Sequence, residues 1–307
     1  MLPRQHIPNT QLQHPLLDQL KVEMGVMRLD QVHPTVSGNK FFKLKYNLAE
    51  ALKQNHKQVL TFGGAYSNHI HATAAAAKLE GLQSIGIIRG ELLDSQNPTL
   101  RYAKEVGMLL KSISRELYRN KIHPEFLNQL RQDWGEFYLI PEGGTNALAI
   151  KGTTEILSSN QSNFSHLATP IGTGGTFAGL ANSLLPQQEL IGISALKGEA
   201  FHAEMKHLLH KHRIKSKGNI ALFTQYHHGG YAKWSSELIE FIHWFWESFG
   251  ILLDPIYTGK MAFAVWDLLQ KKYFKPGSRV LLIHTGGLQG NLGFTQRTGI
   301  ILPGPLT

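Results

Sequence analysis

Four short β-rich runs, 58–62, 84–89, 108–112 and 137–140, follow one another with a helix-length segment between each pair. Parallel strands cannot be joined by tight hairpins, so this alternation is the pattern of βαβ units. It predicts a compact α/β body with 94–99 as a polar, proline-bearing loop. Because the pattern starts and stops inside a longer chain, it predicts a smaller domain, 46–141, inserted in a larger one made of 1–45 and 142–307. A chain of 307 residues, 42% hydrophobic and 17% charged, is long enough to build both cores.

Just before this body lies Ser37-Gly38-Asn39-Lys40. Phe41, Leu44, Leu48, Ala51 and Leu52 then recur at three- and four-residue spacing, which predicts a helix over 40–53 with Lys40 in its first turn. A helix N-terminus carries partial positive charge, which disfavours an ammonium and helps keep an amine neutral and nucleophilic. The alternative is a solvated surface lysine. The strand at 58–62 runs into Gly63-Gly64-Ala65-Tyr66-Ser67-Asn68 and an alanine-rich helix over 67–79 that Gly81 ends. Strand, tight turn and helix present Ser67, Asn68 and backbone N–H groups to a carboxylate or phosphate. Helix capping alone would also account for the serine and asparagine.

The second half repeats the device. After Glu142-Gly143-Gly144-Thr145-Asn146 the pattern predicts a helix over 147–158 and a strand over 165–170, which enters the turn Gly172-Thr173-Gly174-Gly175-Thr176. Glycine N–H groups, threonine hydroxyls and the next helix N-terminus together make an anion cup. The glycine spacing does not fit G-x-G-x-x-G, no Walker lysine follows, and the strand at 190–193 ends on Ser194 with no acidic residue for a ribose. Upstream, 21–30 reads as a hairpin or bent strand. Downstream, 232–249 has an apolar stripe at Trp234, Leu238, Ile242, Phe245 and Phe249, read as core or dimer interface. A buried-type strand over 279–284 ends in Thr285-Gly286-Gly287, the end of an open α/β sheet where ligands bind.

Composition removes several functions. With no cysteine, disulfide frameworks, thiolate zinc sites and cysteine nucleophiles are excluded. The net charge of +9, from 31 Lys and Arg against 22 Asp and Glu, raises nucleic acid as a partner. Its densest source, 206–217, has no interleaved aromatics and no nucleic-acid motif, so it reads as a solvated basic surface. No signal peptide or membrane span is visible, which predicts a cytoplasmic protein. His69 and His71 lie two apart on a helix and face different sides, so no metal is expected. Ser67 sits in no G-x-S-x-G elbow, which argues against a serine hydrolase.

The blocks SGNK, GGAYSN, GTGGT, DPIYTGK and HTGG, in that order, resemble the pyridoxal-phosphate enzymes of the 1-aminocyclopropane-1-carboxylate deaminase and D-cysteine desulfhydrase family. The resemblance runs from Arg28, in an Arg-x-Asp element with Asp30, almost to the C-terminus. It implies an α/β fold of two open, mostly parallel twisted sheets flanked by helices, the tryptophan synthase beta-like fold type II, and a homodimer. It implies pyridoxal 5'-phosphate as cofactor and a small amino acid as substrate. Lys40 maps to the Schiff-base lysine, Lys43 to a cofactor-binding lysine, and Asn68 to the partner of the ring hydroxyl. Gly172, Thr173, Gly174, Gly175 and Thr176 map to the phosphate turn, and Tyr257 to the tyrosine that stacks on the pyridine. Ser67, Asn68, His69 and Tyr231 map to the substrate side.

Within the family, the cyclopropane-opening enzymes carry Glu after the second tyrosine and Leu before the last Gly-Gly. Here those positions are Thr258 and Thr285, as in the desulfhydrase branch. A hydroxyl near the ring nitrogen makes a weaker electron sink than a carboxylate would, which β-elimination of a good leaving group tolerates. Phe42 stands where the family usually has Arg, and Tyr66 where it usually has Gln. Two alternatives stay open: the cyclopropane-opening deaminase itself, and a cofactor- or amino-acid-binding protein with little catalysis.

Overall fold

The computed structural model describes residues 6–91, 94, 96–157, 161–198 and 200–305. The chain opens with β1 (Asn9–Leu12), α1 (Pro15–Leu20), β2 (Glu23–Arg28) and α2 (Asn39–Lys53). Next come β3 (Gln58–Gly64), α3 (Asn68–Leu79), β4 (Gln83–Arg89), α4 (Pro98–Glu105), β5 (Met108–Ile113), α5 (Arg115–Arg119), α6 (Pro124–Trp134) and β6 (Tyr138–Ile140). The chain continues through α7 (Ala147–Thr154), β7 (His166–Ile171), α8 (Gly175–Ser183), β8 (Glu189–Ser194), α9 (Phe201–Lys211) and β9 (Asn219–Phe223). It closes with α10 (Ser236–Phe249), α11 (Thr258–Gln270), β10 (Arg279–His284) and α12 (Gly290–Thr298).

Six strands form one sheet in the order β1-β2-β10-β7-β8-β9, and four form a second in the order β5-β4-β3-β6. Every pairing is parallel except β1 against β2. All four strands of the smaller sheet come from 58–140, while the larger sheet takes strands from both sides of that stretch. Parallel sheets are covered on both faces, and here β3, β4, β7, β8 and β10 are buried along nearly their whole length. Among the described residues no helix is long and apolar enough to cross a membrane.

Close backbone approach at two glycines sets the geometry of the cleft. Gly38 has φ +70°, and a Cβ there would lie 2.0 Å from the Thr285 carbonyl oxygen. The loop before α2 therefore lies directly on the turn after β10, where the Asn39 N–H donates to that same oxygen at 3.1 Å. At Gly152 a Cβ would lie 1.9 Å from the Phe42 carbonyl oxygen, so α7 packs against α2 at a distance only glycine permits. Phe42, 1% exposed, fills the core of this contact and is worth ~3 kcal/mol in buried apolar surface.

Several boundaries differ from the sequence reading. Within 21–30 only Glu23–Arg28 is strand, β2, followed by a 3-10 turn over Leu29–Gln31, and its antiparallel partner β1 lies upstream; the polar Asn9-Thr10-Gln11 of an edge strand gives little periodic signal. The helix expected over 232–249 starts at Ser236, because Ser235 Oγ accepts from the Leu238 N–H and caps it. Gly229, Gly230 and Ala232 have positive φ, so Tyr231 sits in a turn. The helix from Ala147 ends at Thr154, and Ser158 lies outside the described residues. Within 94–99, Asn97 caps α4 at Pro98, and residue 95 lies outside the described residues.

Candidate active site

The carboxyl ends of β3, β7 and β10 open onto one cleft, each followed by one of the glycine turns picked out in the sequence. Lys40 and Lys43, three residues apart in α2, share one face of that helix. Burial pushes the Lys40 amine down to about 8, and the charge of Asp254 opposes this. Its amine donates to Asn39 Oδ1 at 3.3 Å, while Asn39 Nδ2 donates to Thr176 Oγ1 at 2.7 Å. One asparagine thus ties the lysine to the turn after β7.

Lys43 is 2% exposed. Its ammonium donates to the Gly143 carbonyl oxygen at 2.8 Å, Thr145 Oγ1 at 3.0 Å and Thr173 Oγ1 at 3.3 Å. Among the described residues it has no carboxylate partner, and burial followed by the Lys40 charge holds it well below the ordinary lysine value. A buried cation without an anion is costly. This one faces the start of α8 together with Thr145, Thr173 and the left-handed Gly174, donors that fit a phosphate. The residues present therefore suit the phosphate end of the cofactor that the sequence pattern implies.

Across the cleft, Ser67 Oγ accepts from the His69 and Ile70 N–H groups at 3.2 and 3.3 Å, capping α3. Among the described residues its hydroxyl proton has no acceptor. Asn68 Oδ1 accepts from Gln289 Nε2, and Asn68 Nδ2 has no partner among the described residues. His69, expected on the substrate side, is 2% exposed, and its Nε2 meets Thr61 Oγ1 at 2.7 Å. That threonine hydroxyl donates to the Ile140 carbonyl, so the imidazole is its donor and is engaged inside the smaller sheet. A position one step along the helix from Asn68 is turned about 100° away, which is why the sequence neighbour does not share its site.

Tyr257 packs its ring over Gly172, where a Cβ would lie 3.0 Å from Cε1. Burial, reinforced by Tyr231, raises its phenol well above the usual value, so it stays protonated. Tyr231, 46% exposed, has its ring centre 6.2 Å from that of Tyr257. Thr258 is fully buried and its hydroxyl is engaged: it donates to Asp254 Oδ2 and accepts from the Asp254 N–H at 2.9 Å. The same carboxylate takes the N–H groups of Ile256, Tyr257 and Thr258, which anchors the start of α11. Thr285, by contrast, has a side-chain hydroxyl with no partner among the described residues, at the end of β10.

The Tyr66 ring lies against α12. A Cβ at Gly293 would fall 2.5 Å from its ring, and the Arg297 guanidinium sits 5.4 Å from its centre. Three site residues had not been singled out for a role. Thr145 stood in a recognised glycine turn, Asp254 in a recognised block, and Gln289 had no local signal at all.

A family model described as pyridoxal-phosphate dependent enzyme matches residues 4–286. A putative 1-aminocyclopropane-1-carboxylate deaminase of Pyrococcus horikoshii is 28% identical over 307 residues, covering 96% of this chain and 92% of the relative. A D-cysteine desulfhydrase of Yersinia enterocolitica is 30% identical over 292 residues, covering 89% and 88%. The crystal structure of an ACC deaminase homologue aligns with a TM-score of 0.83 at 26% identity, over 97% of this chain and 94% of that one. The family model spans both sheets and the helix that carries Lys40 and Lys43, and the chain belongs to the family of pyridoxal-phosphate dependent enzymes.

Proposed function

We propose that this enzyme removes a β-substituent from a small amino acid in the manner of a D-cysteine desulfhydrase, D-cysteine and water giving pyruvate, ammonia and hydrogen sulfide. The observation that carries this choice is the pair of threonines. No carboxylate follows Tyr257, the Thr258 hydroxyl is held by Asp254, and Thr285 is the free hydroxyl available to a ring nitrogen. On this reading the chain divides into a smaller domain over 46–141 and a larger one over 1–45 and 142–307, with the site between them.

Bound pyridoxal phosphate supplies an electron sink for the charge left when a proton leaves the substrate's α-carbon. The chain's own residues do the rest. Lys43, Thr145, Thr173 and the 172–176 turn would hold the phosphate, Asn68 Nδ2 would serve the ring hydroxyl, and Tyr257 would pack on the ring. Lys40 would be the attachment point for the cofactor, and its free amine would take the α-proton on Nζ. Ser67 and the N–H groups of its turn hold the substrate carboxylate, with Tyr231 as the phenol that donates to the departing group or orients the carboxylate.

Only the neutral form of Lys40 attacks an aldehyde. With its amine near 8, attachment of pyridoxal phosphate to cofactor-free protein is expected to rise through that pH and level off above it. Below it, initial rates should fall about tenfold per pH unit. Capture that is flat between pH 7 and 9 would contradict this account of Lys40.

Similarity to the putative deaminase favours a second reading, opening of 1-aminocyclopropane-1-carboxylate to 2-oxobutanoate and ammonia. The two are separated by the product. The cofactor-loaded protein should release pyruvate from D-cysteine and no 2-oxobutanoate from the cyclopropane substrate. The reverse pattern would assign the second activity. The reading as a binding protein with little catalysis drew on Phe42 and Tyr66, and Phe42 now proves to be a core residue remote in direction from Lys40.

A further inference from the structure

We infer that Gln289 is a positioning residue that fixes which atom of the Asn68 amide faces the cofactor. The inference rests on the reading of Asn68 as the partner of the ring's phenolic oxygen. Three side chains form a directed chain across the two sheets' bodies. Thr99 Oγ1, at the start of α4, donates to Gln289 Oε1 at 3.1 Å. Gln289 Nε2, just before α12, donates to Asn68 Oδ1 at the start of α3.

An amide has one acceptor end and one donor end, so each link dictates the next. Thr99 is 1% exposed and its hydroxyl proton has no other acceptor among the described residues. Reversing the chain would leave that proton buried and unsatisfied, which sets the direction. With Oε1 occupied by Thr99, Gln289 can offer only Nε2. With Oδ1 occupied by Gln289, Asn68 can offer only Nδ2. That nitrogen is directed at the turn after β10, where a Cβ on Gly287 would lie 2.5 Å from it. An N–H donor there stabilises an anionic ring oxygen; the carbonyl end of the same amide would repel it. Because Thr99 and Asn68 belong to the smaller sheet's body and Gln289 to the larger's, the orientation holds only when the two bodies are docked.

The test compares Gln289→Glu with Gln289→Ala in cofactor-free protein titrated with pyridoxal phosphate at about pH 8, where a glutamate is ionised. A carboxylate of the same shape can only accept, so Asn68 must turn Nδ2 toward it and present its oxygen to the ring. Gln289→Glu is expected to weaken apparent binding about tenfold to a hundredfold and to shift the visible band of the bound cofactor. Gln289→Ala, which frees Asn68 to choose, should lose several-fold less. A packing role predicts the opposite order, since Glu preserves volume and Ala does not. Binding by Gln289→Glu equal to wild type, or weaker binding by Gln289→Ala, would overturn the inference. Wild-type protein that takes up no pyridoxal phosphate would overturn the reading of the site, and the inference with it. Thermal unfolding of the cofactor-free variants checks that each is folded.

Discussion

Lys40→Ala is expected to yield folded protein without the visible absorbance of lysine-bound cofactor, and with turnover of D-cysteine reduced by about 10³-fold or more. The size follows from one amine serving twice, as the attachment point and as the group that moves the α-proton. The fold should be indifferent. Lys40 lies in the first turn of α2, its one polar contact among the described residues is the 3.3 Å bond to Asn39, and alanine is the best helix former. Removing an amine that burial already pushes toward neutrality relieves desolvation, so the melting temperature of the cofactor-free variant should match wild type within a few degrees. Melting is measured on the cofactor-free protein, and absorbance on the same preparation after pyridoxal phosphate is added. A retained lysine-bound band in Lys40→Ala would move the assignment to another lysine, with Lys43 the first to examine.

Much of this site was legible because glycine and helical periodicity carry strong local signals. Gly38, Gly63, Gly174 and Gly287 each mark a place where backbone must turn tightly or approach another segment, and the strands leading to the last three, β3, β7 and β10, are buried along nearly their whole length. What the sequence did not carry depends on direction across the fold. Phe42 looked like a loss at the site, yet at 100° per residue it lies some 200° around α2 from Lys40, while Lys43 lies within about 60° of it. Tyr66 stood for a missing amide at the substrate, and its ring instead packs on Gly293 from a helix more than two hundred residues later. The family resemblance put His69 on the substrate side and Thr258 near the ring nitrogen, and here His69 Nε2 meets Thr61 and the Thr258 hydroxyl meets Asp254. Side-chain pairs such as Thr99 with Gln289 join segments whose separation along the chain hides them from any periodicity.

Lys43→Met is expected to move affinity and stability in different directions. On the proposed reading the Lys43 ammonium would face the phosphate of bound pyridoxal phosphate, and truncating one member of such a buried pair costs about 2–5 kcal/mol, or roughly 30-fold to several-thousand-fold in binding of the cofactor. In the cofactor-free protein the same ammonium is a buried charge with only neutral oxygens around it. Methionine fills a similar volume, and Thr145 and Thr173 keep their mutual hydrogen bond at 2.6 Å, so the one new deficit is the Gly143 carbonyl. The melting temperature of the cofactor-free variant should therefore equal or exceed that of wild type. Its pH dependence gives a second readout. Lys43 is depressed well below 10.5 in the folded chain, so between the depressed value and 10.5 the unfolded chain binds a proton that the folded chain does not. The Lys43 contribution to wild-type stability rises with pH across that window, and the methionine variant should lack this part of the slope. A fall of several degrees in the cofactor-free variant would make Lys43 a strut between α2 and the turn at Gly143. Unchanged or raised stability with lost affinity would make it a charge kept at the expense of the empty fold for the anion it binds.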